Sequence, residues 1–369
     1  MPSDMKDAVA DDVDWNRTVA RAEEERLAPL LYVVLGAAAP TPLRTRLRSA
    51  WLAAERQHLL ASKALREIVD AFGTAGIETI LLKGPALAAE YYAEPAARPY
   101  TDLDVLVRRR DRNSAMEVLE RLGYAHGSPG RSLGYELEHA PAAYFVSRDG
   151  ARLPVDLHWE CVAHPGGRRA TDLVAEEIWS RAVPAPAWGA AARVPATEDL
   201  LVYLAAHLAV HHSLAGMLWQ LDVAIVLERH GAALDWDAVT ARATRWRAAA
   251  ALYFALRAVE LALGVAAPTW ATDRLRPGAM RVALVDRLLR AGGERLVALE
   301  YFVGLAMLDR FSDVLGILGS GVVPAPGWLR ARYGSRTTIA AYAVHYGRLA
   351  GAVARALNLR REPPRVGIS

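Results

Sequence analysis

Thr79-Ile-Leu-Leu-Lys-Gly-Pro-Ala-Leu87, followed by Arg98-Pro-Tyr-Thr-Asp-Leu-Asp-Val-Leu-Val107, is the stretch on which the fold turns. An apolar run rich in Ile and Leu reaches a Lys-Gly turn at Lys83 and Gly84. The run predicts a short buried strand over 77–83. Pro85 suits the first turn of a helix, where its missing N–H costs nothing, so a helix is expected over 85–92. Pro95 and Pro99 then break the chain before a second strand over 101–108. Asp102 and Asp104 fall on one face of that strand, and Leu103, Val105 and Val107 on the other. Residues two apart in a strand lie roughly 6.5 Å apart along the backbone. Two carboxylates at that spacing suit a hard divalent cation. A glycine turn opening a helix suits phosphate. Together they point to metal-dependent chemistry on a nucleoside triphosphate.

Downstream lies a hairpin signal. Residues 142–147 form an apolar run with paired aromatics, Asp149-Gly150 is a turn pair, and 152–160 resumes a strand pattern. That second arm reads Val155-Asp156-Leu157-His158-Trp159. Alternation puts Asp156 and His158 on one face, and Leu157 and Trp159 on the other. Between the two regions, 115–122 reads as an amphipathic helix stopped by Gly123.

The flanks are helical. Upstream, 26–35 and 43–72 place apolar residues at intervals of three and four. Downstream, a loop is expected at 164–169. Helices are expected over 198–210, 217–229, 237–263, 284–308 and 337–357. Pro324, Pro326 and Gly327 mark a linker, and a polar tail follows the last helix. The fold class is α+β: a small mixed β-sheet core over 76–165, an N-terminal helical segment over 1–75 and a C-terminal helical domain over 166–369.

Bulk composition agrees with a globular protein. The 369 residues are 53% hydrophobic and 23% charged, with a net charge of +3. That balance is too weak to argue for nucleic acid by itself. The one cysteine, Cys161, excludes an internal disulfide framework and suits a reducing, cytoplasmic setting. Its expected role is that of a small buried residue. The acidic N-terminus has no apolar segment of a secretory signal. No run approaches the roughly 18 apolar residues of a membrane span.

The order Leu-Lys-Gly-x-x-Leu, then Arg-x-x-x-Asp-Leu-Asp-x-Leu-Val, then Val-Asp-Leu-His-Trp resembles the polymerase-β-type nucleotidyltransferase superfamily. More closely it resembles the superfamily's poorly characterised bacterial nucleotidyltransferase proteins, which often sit beside biosynthetic clusters. Leu27-Ala-Pro-Leu-Leu-Tyr32, Leu218-Trp-Gln-Leu-Asp222 with Asp235-Trp236, and Trp328-Leu-Arg-Ala-Arg-Tyr333 are similar to that group too. The resemblance implies transfer of a nucleoside monophosphate from a nucleoside triphosphate to an acceptor, with pyrophosphate leaving. It implies that Asp102, Asp104 and Asp156 are the catalytic acids and hold magnesium, two ions in all, and that Gly84 and its neighbours cradle phosphate. The acceptor is a small molecule, a peptide or tRNA. The turn here is Lys83-Gly84-Pro85, where the superfamily most often has Gly-Ser or Gly-Gly, and Gly84 stands 18 residues before Asp102. Without a serine hydroxyl, Lys83 and Arg98 are the expected phosphate ligands. Two rivals remain: a catalytically degenerate scaffold, and a toxin-type enzyme acting on tRNA or protein.

Other polar residues have local readings. His158 shares the face of Asp156 and either orients that acid or touches substrate. His139 precedes the hairpin and is read alike. His207 and His211 are one helical turn apart, with His212 beside them. Leu208 stands where a zinc protease carries Glu, so that motif is absent. The three histidines are expected as a polar patch at a helix end near the cleft. Asp222 is expected to cap or pair with a neighbouring helix, or to line the cleft. The run from Arg108 to Arg112 reads as a solvated turn or as a contact for an anionic acceptor.

Overall fold

A computed structural model of the chain describes residues 13–128, 132–161, 171–335 and 337–358. The loop expected at 164–169 and the polar tail lie outside the described residues. Three helices come first: α1 (Trp15–Glu24), α2 (Ala28–Leu35) and α3 (Thr41–Thr74). The mixed segment follows as β1 (Thr79–Leu81), α4 (Gly84–Tyr91), β2 (Leu103–Leu106), α5 (Arg112–Arg121), β3 (Tyr124–His126), α6 (Leu133–His139), β4 (Ala142–Ser147) and β5 (Val155–His158). Then come α7 (Ala175–Arg181), β6 (Val183–Pro184) and β7 (Ala192–Val194). The remainder is helical: α8 (Thr197–Val210), α9 (Met217–His230), α10 (Trp236–Arg245), α11 (Ala249–Leu263), α12 (Thr269–Leu275), α13 (Ala279–Ala291), α14 (Gly293–Ala298), α15 (Glu300–Ala306), α16 (Phe311–Val322), α17 (Pro326–Tyr333) and α18 (Thr338–Asn358).

The seven strands form one mixed sheet in the order β3-β4-β5-β2-β1-β7-β6. The expected hairpin is present, with Ala142 opposite His158 and Phe145 opposite Val155. Its turn places Gly150 at φ 67, the left-handed region that glycine enters at least cost. Asp149 closes it by accepting from the Ala151 N–H at 3.0 Å. Strand β5 then lies parallel to β2, so Asp104 stands directly beside Asp156. Strands β6 and β7 come from residues beyond 165 and extend the sheet past β1.

Alternation along β1 and β2 divides the core. Leu81, Leu103, Val105, Val155 and Leu157 pack on one face against Ile68, Val69 and Phe72 of α3 and Leu119 of α5. Ile80, Leu82 and Leu106 join the opposite cluster, which α8, α9 and α11 fill with residues such as Leu201, Val223 and Phe254. Cys161 is buried in that second cluster. The sheet is therefore covered on both sides, and the acids lie on the side of the C-terminal helices.

Two long helices expected from periodicity are interrupted. The 237–263 pattern breaks between α10 and α11, where Arg247 takes φ 52. The 284–308 pattern resolves into α13, α14 and α15, broken at Gly292 with φ 95. The expected linker at 324–327 contains the start of α17. No helix among the described residues is long and apolar enough to cross a membrane.

Candidate active site

Strand β2 is apolar on one face, and that face fixes the acids on the other. Leu103, Val105 and Val107 are fully buried. Asp104 therefore points to the side of the C-terminal helices and is only 6% exposed. Asp102, immediately before the strand, lies beside it. Parallel pairing brings in Asp156, and His158 follows on the same face two residues later. Ligand atoms of Asp104, Asp156 and His158 lie within 4.8 Å of one another. His158 Nε2 is 3.0 Å from Asp156 and 3.4 Å from Asp104. Neither ring nitrogen makes a well-aligned hydrogen bond, so the contact is chiefly ionic.

Lys83 enters from the end of β1. Its Nζ is 2.8 Å from Asp104 Oδ1. Gly84 follows at φ 61, and a Cβ there would meet the Asp102 carbonyl oxygen at 3.3 Å. The turn thus brings the start of α4 against the backbone of the first acid. A side chain at Gly84 would strain the turn and crowd Asp102 together.

The charges are strongly coupled. Burial disfavours the ionised Asp104, yet Lys83 and His158 hold its carboxyl well below the usual range. Burial disfavours the charged His158, and Asp156 and Asp104 override it, raising the imidazole to about 10. Lys83 is likewise buried and is kept charged by Asp104. Asp102 is left over. Burial and the neighbouring Asp104 charge push it up to about 6. Three carboxylates thus face two resident cations, Lys83 and His158. The surplus negative charge sits where a hard cation with oxygen ligands would relieve it. The ligand atoms that gather are those of Asp104, Asp156 and His158, with Asp102 coupled to them by charge, and carboxylate oxygens so placed suit a hard divalent cation.

The sequence expectations meet here with one exception. Lys83, Gly84, Asp102, Asp104, Asp156 and His158 converge. Arg98, expected on phosphate, is occupied elsewhere. Its Nε and Nη2 donate to the two oxygens of Asp222 at 2.7 and 2.6 Å, and Tyr92 donates to the same carboxylate at 2.9 Å. Arg98 and Asp222 are 4% and 1% exposed. A buried guanidinium must be paired, and the acid that pairs it comes from α9. His139 ends α6, and its side chain is outside what the structure describes.

Two tyrosines beside the acids were not singled out from the sequence. Tyr144 of β4 pairs with Asp156 of β5 and is half-buried. Burial, then the charges of Asp102, Asp156 and Asp104, push its phenol up. Tyr203 of α8 has its ring 6.0 Å from Lys83 Nζ. Alternation in β4 and the four-residue step from Tyr203 to His207 were the available signals. His207, expected near the cleft, has its Nε2 3.4 Å from Lys83 Nζ.

The profile of a protein family described as uncharacterised nucleotidyltransferase matches residues 11–264. The chain belongs to this family. The match takes in the first three helices, the whole sheet and the helices through α11, so the nucleotidyltransferase unit includes every residue of the site. Nucleotidyl transfer from a nucleoside triphosphate is the activity that membership supports. A search of curated proteins found no match.

Proposed function

We propose that the protein transfers a nucleoside monophosphate from a nucleoside triphosphate to an acceptor hydroxyl, with magnesium, releasing pyrophosphate. The observation that carries this reading is the side-by-side pairing of Asp104 and Asp156, with Asp102 beside them raised to about 6 by burial and then by the Asp104 charge. Asp102, Asp104 and Asp156 would hold the metal. Bound magnesium neutralises triphosphate charge and makes the acceptor oxygen easier to deprotonate.

The chain's own groups do the rest. Lys83 presents an ammonium to the phosphates from the Asp104 side. Gly84 lets backbone come close to them, because no Cβ intervenes. His158 helps keep Asp104 ionised and, 3.0 Å from Asp156 and 3.4 Å from Asp104, fixes the two acids in orientation. Asp156, less buried than Asp104, takes the acceptor's proton. The acceptor oxygen forms its bond to the α-phosphorus as the bond from that phosphorus to the bridging oxygen breaks. Pyrophosphate leaves with the electron pair. Arg98 serves at a distance, since its pairing with Asp222 ties the segment before β2 to α9. A scaffold function explains the site less well, because it gives no reason to gather three carboxylates around two cations.

Incubation with each labelled nucleoside triphosphate, magnesium and cell extract tests the reading. Asp102→Asn and Asp104→Asn should each lower label transfer about a hundredfold or more. Transfer that survives both substitutions would sink the metal assignment.

A further inference from the structure

A row of side chains behind Lys83 has no part in the reaction as written above. His207 Nε2 lies 3.4 Å from Lys83 Nζ and 3.1 Å from His212 Nε2. An ammonium has donors only, so the Nε2 atom facing it must offer a lone pair. That places the His207 proton on Nδ1 and lets the His212 Nε2–H donate to the same lone pair. His212 in turn stacks on Trp219, with ring centroids 3.4 Å apart and planes 14° from parallel. Arg26, from the loop between α1 and α2, lies over Trp219 at 5.1 Å.

The backbone that carries this row is unusual. Ser213 and Leu214 take φ 51 and 63, consecutive left-handed residues with side chains. Such conformations persist where surroundings hold them. Here the Leu214 N–H donates to the Leu208 carbonyl at 2.9 Å, and Gln220 donates to the Leu214 carbonyl at 2.9 Å. The Met217 N–H donates to Glu25 at 3.1 Å. Gly216 takes φ 89, and a Cβ there would lie 2.2 Å from the Trp219 ring. The turn is thus shaped around Trp219, which backs His212.

We propose that His207 is a positioning residue that, backed by His212 and Trp219, holds the Lys83 ammonium between Asp104 and the triphosphate. A lysine has a long flexible stem and three donors. Asp104, at 2.8 Å, takes one donor and His207, at 3.4 Å, a second. The third is left for a phosphate oxygen. With Asp104 alone, the ammonium would collapse onto the acid and be less available to substrate. The proposal rests on the transfer reading, which assigns Lys83 to the phosphates.

The test is a double-mutant cycle read by calorimetric binding of inorganic tripolyphosphate in magnesium. His207→Leu should weaken binding about tenfold, the size of one hydrogen bond to a charged group. In the Lys83→Met background the same change should add nothing. His207→Gln should retain binding, because its terminal oxygen reaches the position of Nε2. His207→Asn should lose it, because its amide stops short. The Gln and Asn pair carries the test where His207→Leu does not fold. Equal losses in both backgrounds, or equal binding by Gln and Asn variants, would overturn the proposal while leaving the transfer reading intact. Wild-type protein that binds no tripolyphosphate overturns both.

Discussion

Asp222 gives the strongest test at the scale of single residues. It lies in α9, yet it neutralises Arg98 ahead of the acid strand, with both side chains nearly sealed from water. Removing one member leaves an uncompensated buried charge, at a cost of about 3–5 kcal/mol. Asp222→Ala should therefore move the urea midpoint sharply. Arg98→Leu combined with Asp222→Leu should recover much of the loss, because no charge then remains buried. A second test uses pH. Burial lowers His212 to about 3 and holds His207 well below its ordinary value. His212 is neutral in the fold and protonated in the unfolded chain between about pH 3 and 6.5, and His207 is held neutral in the same direction, so at these residues the unfolded state binds more protons. The stability these two histidines contribute should fall as pH drops through that window, against the opposite trend of His158 and Asp102, whose raised values favour the fold as protons bind. His212 should contribute about 1–2 kcal/mol of the loss from pH 7 to 5. Urea unfolding at both pH values, compared with His212→Gln, should show the smaller drop in the variant. The acids were legible in the sequence because strand alternation is local. Arg98 was not, because its partner stands 124 residues away.

Elements differ in how much of them the sequence revealed. The hairpin at 142–158 was plain, since two alternating arms flank an Asp-Gly turn. Strands β6 and β7, of two and three residues, are too short to show any alternation, and pairing with β1 alone defines their place. The break between α10 and α11 was hidden because apolar periodicity continues across it. What makes it is tertiary: the Arg247 guanidinium binds Asp172 at 2.6 Å and Asp313 at 2.9 Å, fixing a left-handed residue. Glycine turns supply the prediction here. Gly84 and Gly150 have φ 61 and 67, so alanine at either should cost about 1–2 kcal/mol from backbone strain. A Cβ at Gly150 meets nothing within 4 Å, whereas one at Gly84 meets the Asp102 carbonyl. Gly150→Ala should lower the melting temperature and leave nucleotide transfer unchanged. Gly84→Ala should show a similar thermal loss together with a fall in transfer. Equal activity in the two variants would mean that the Lys83-Gly84 turn does not set the position of Asp102.

At the scale of the whole molecule, the family match ends at Gly264, the left-handed cap of α11. The sequence reading placed the helices beyond that point in one domain with those from 166 onward. Buried contacts tie α13 through α16 to the matched helices. Val282, Val285, Leu296, Val303, Met307, Leu308 and Ile317 are buried in the same cluster as the helices that cover the acid face of the sheet. Asp309, beyond the match, caps α11 within it by accepting from the Ala249 and Ala250 N–H groups at 3.0 and 2.8 Å. Loss of such a cap costs about 1 kcal/mol, so Asp309→Ala should lower stability by that amount. Ending the chain at residue 264 removes the cap and bares the apolar side of α11 as well. The shortened protein should therefore unfold at a clearly lower denaturant concentration than the full chain, which should itself unfold in one transition. A truncated protein that kept the full-length midpoint would mean instead that the last helices form a separate unit, and that the family core holds its active site without them.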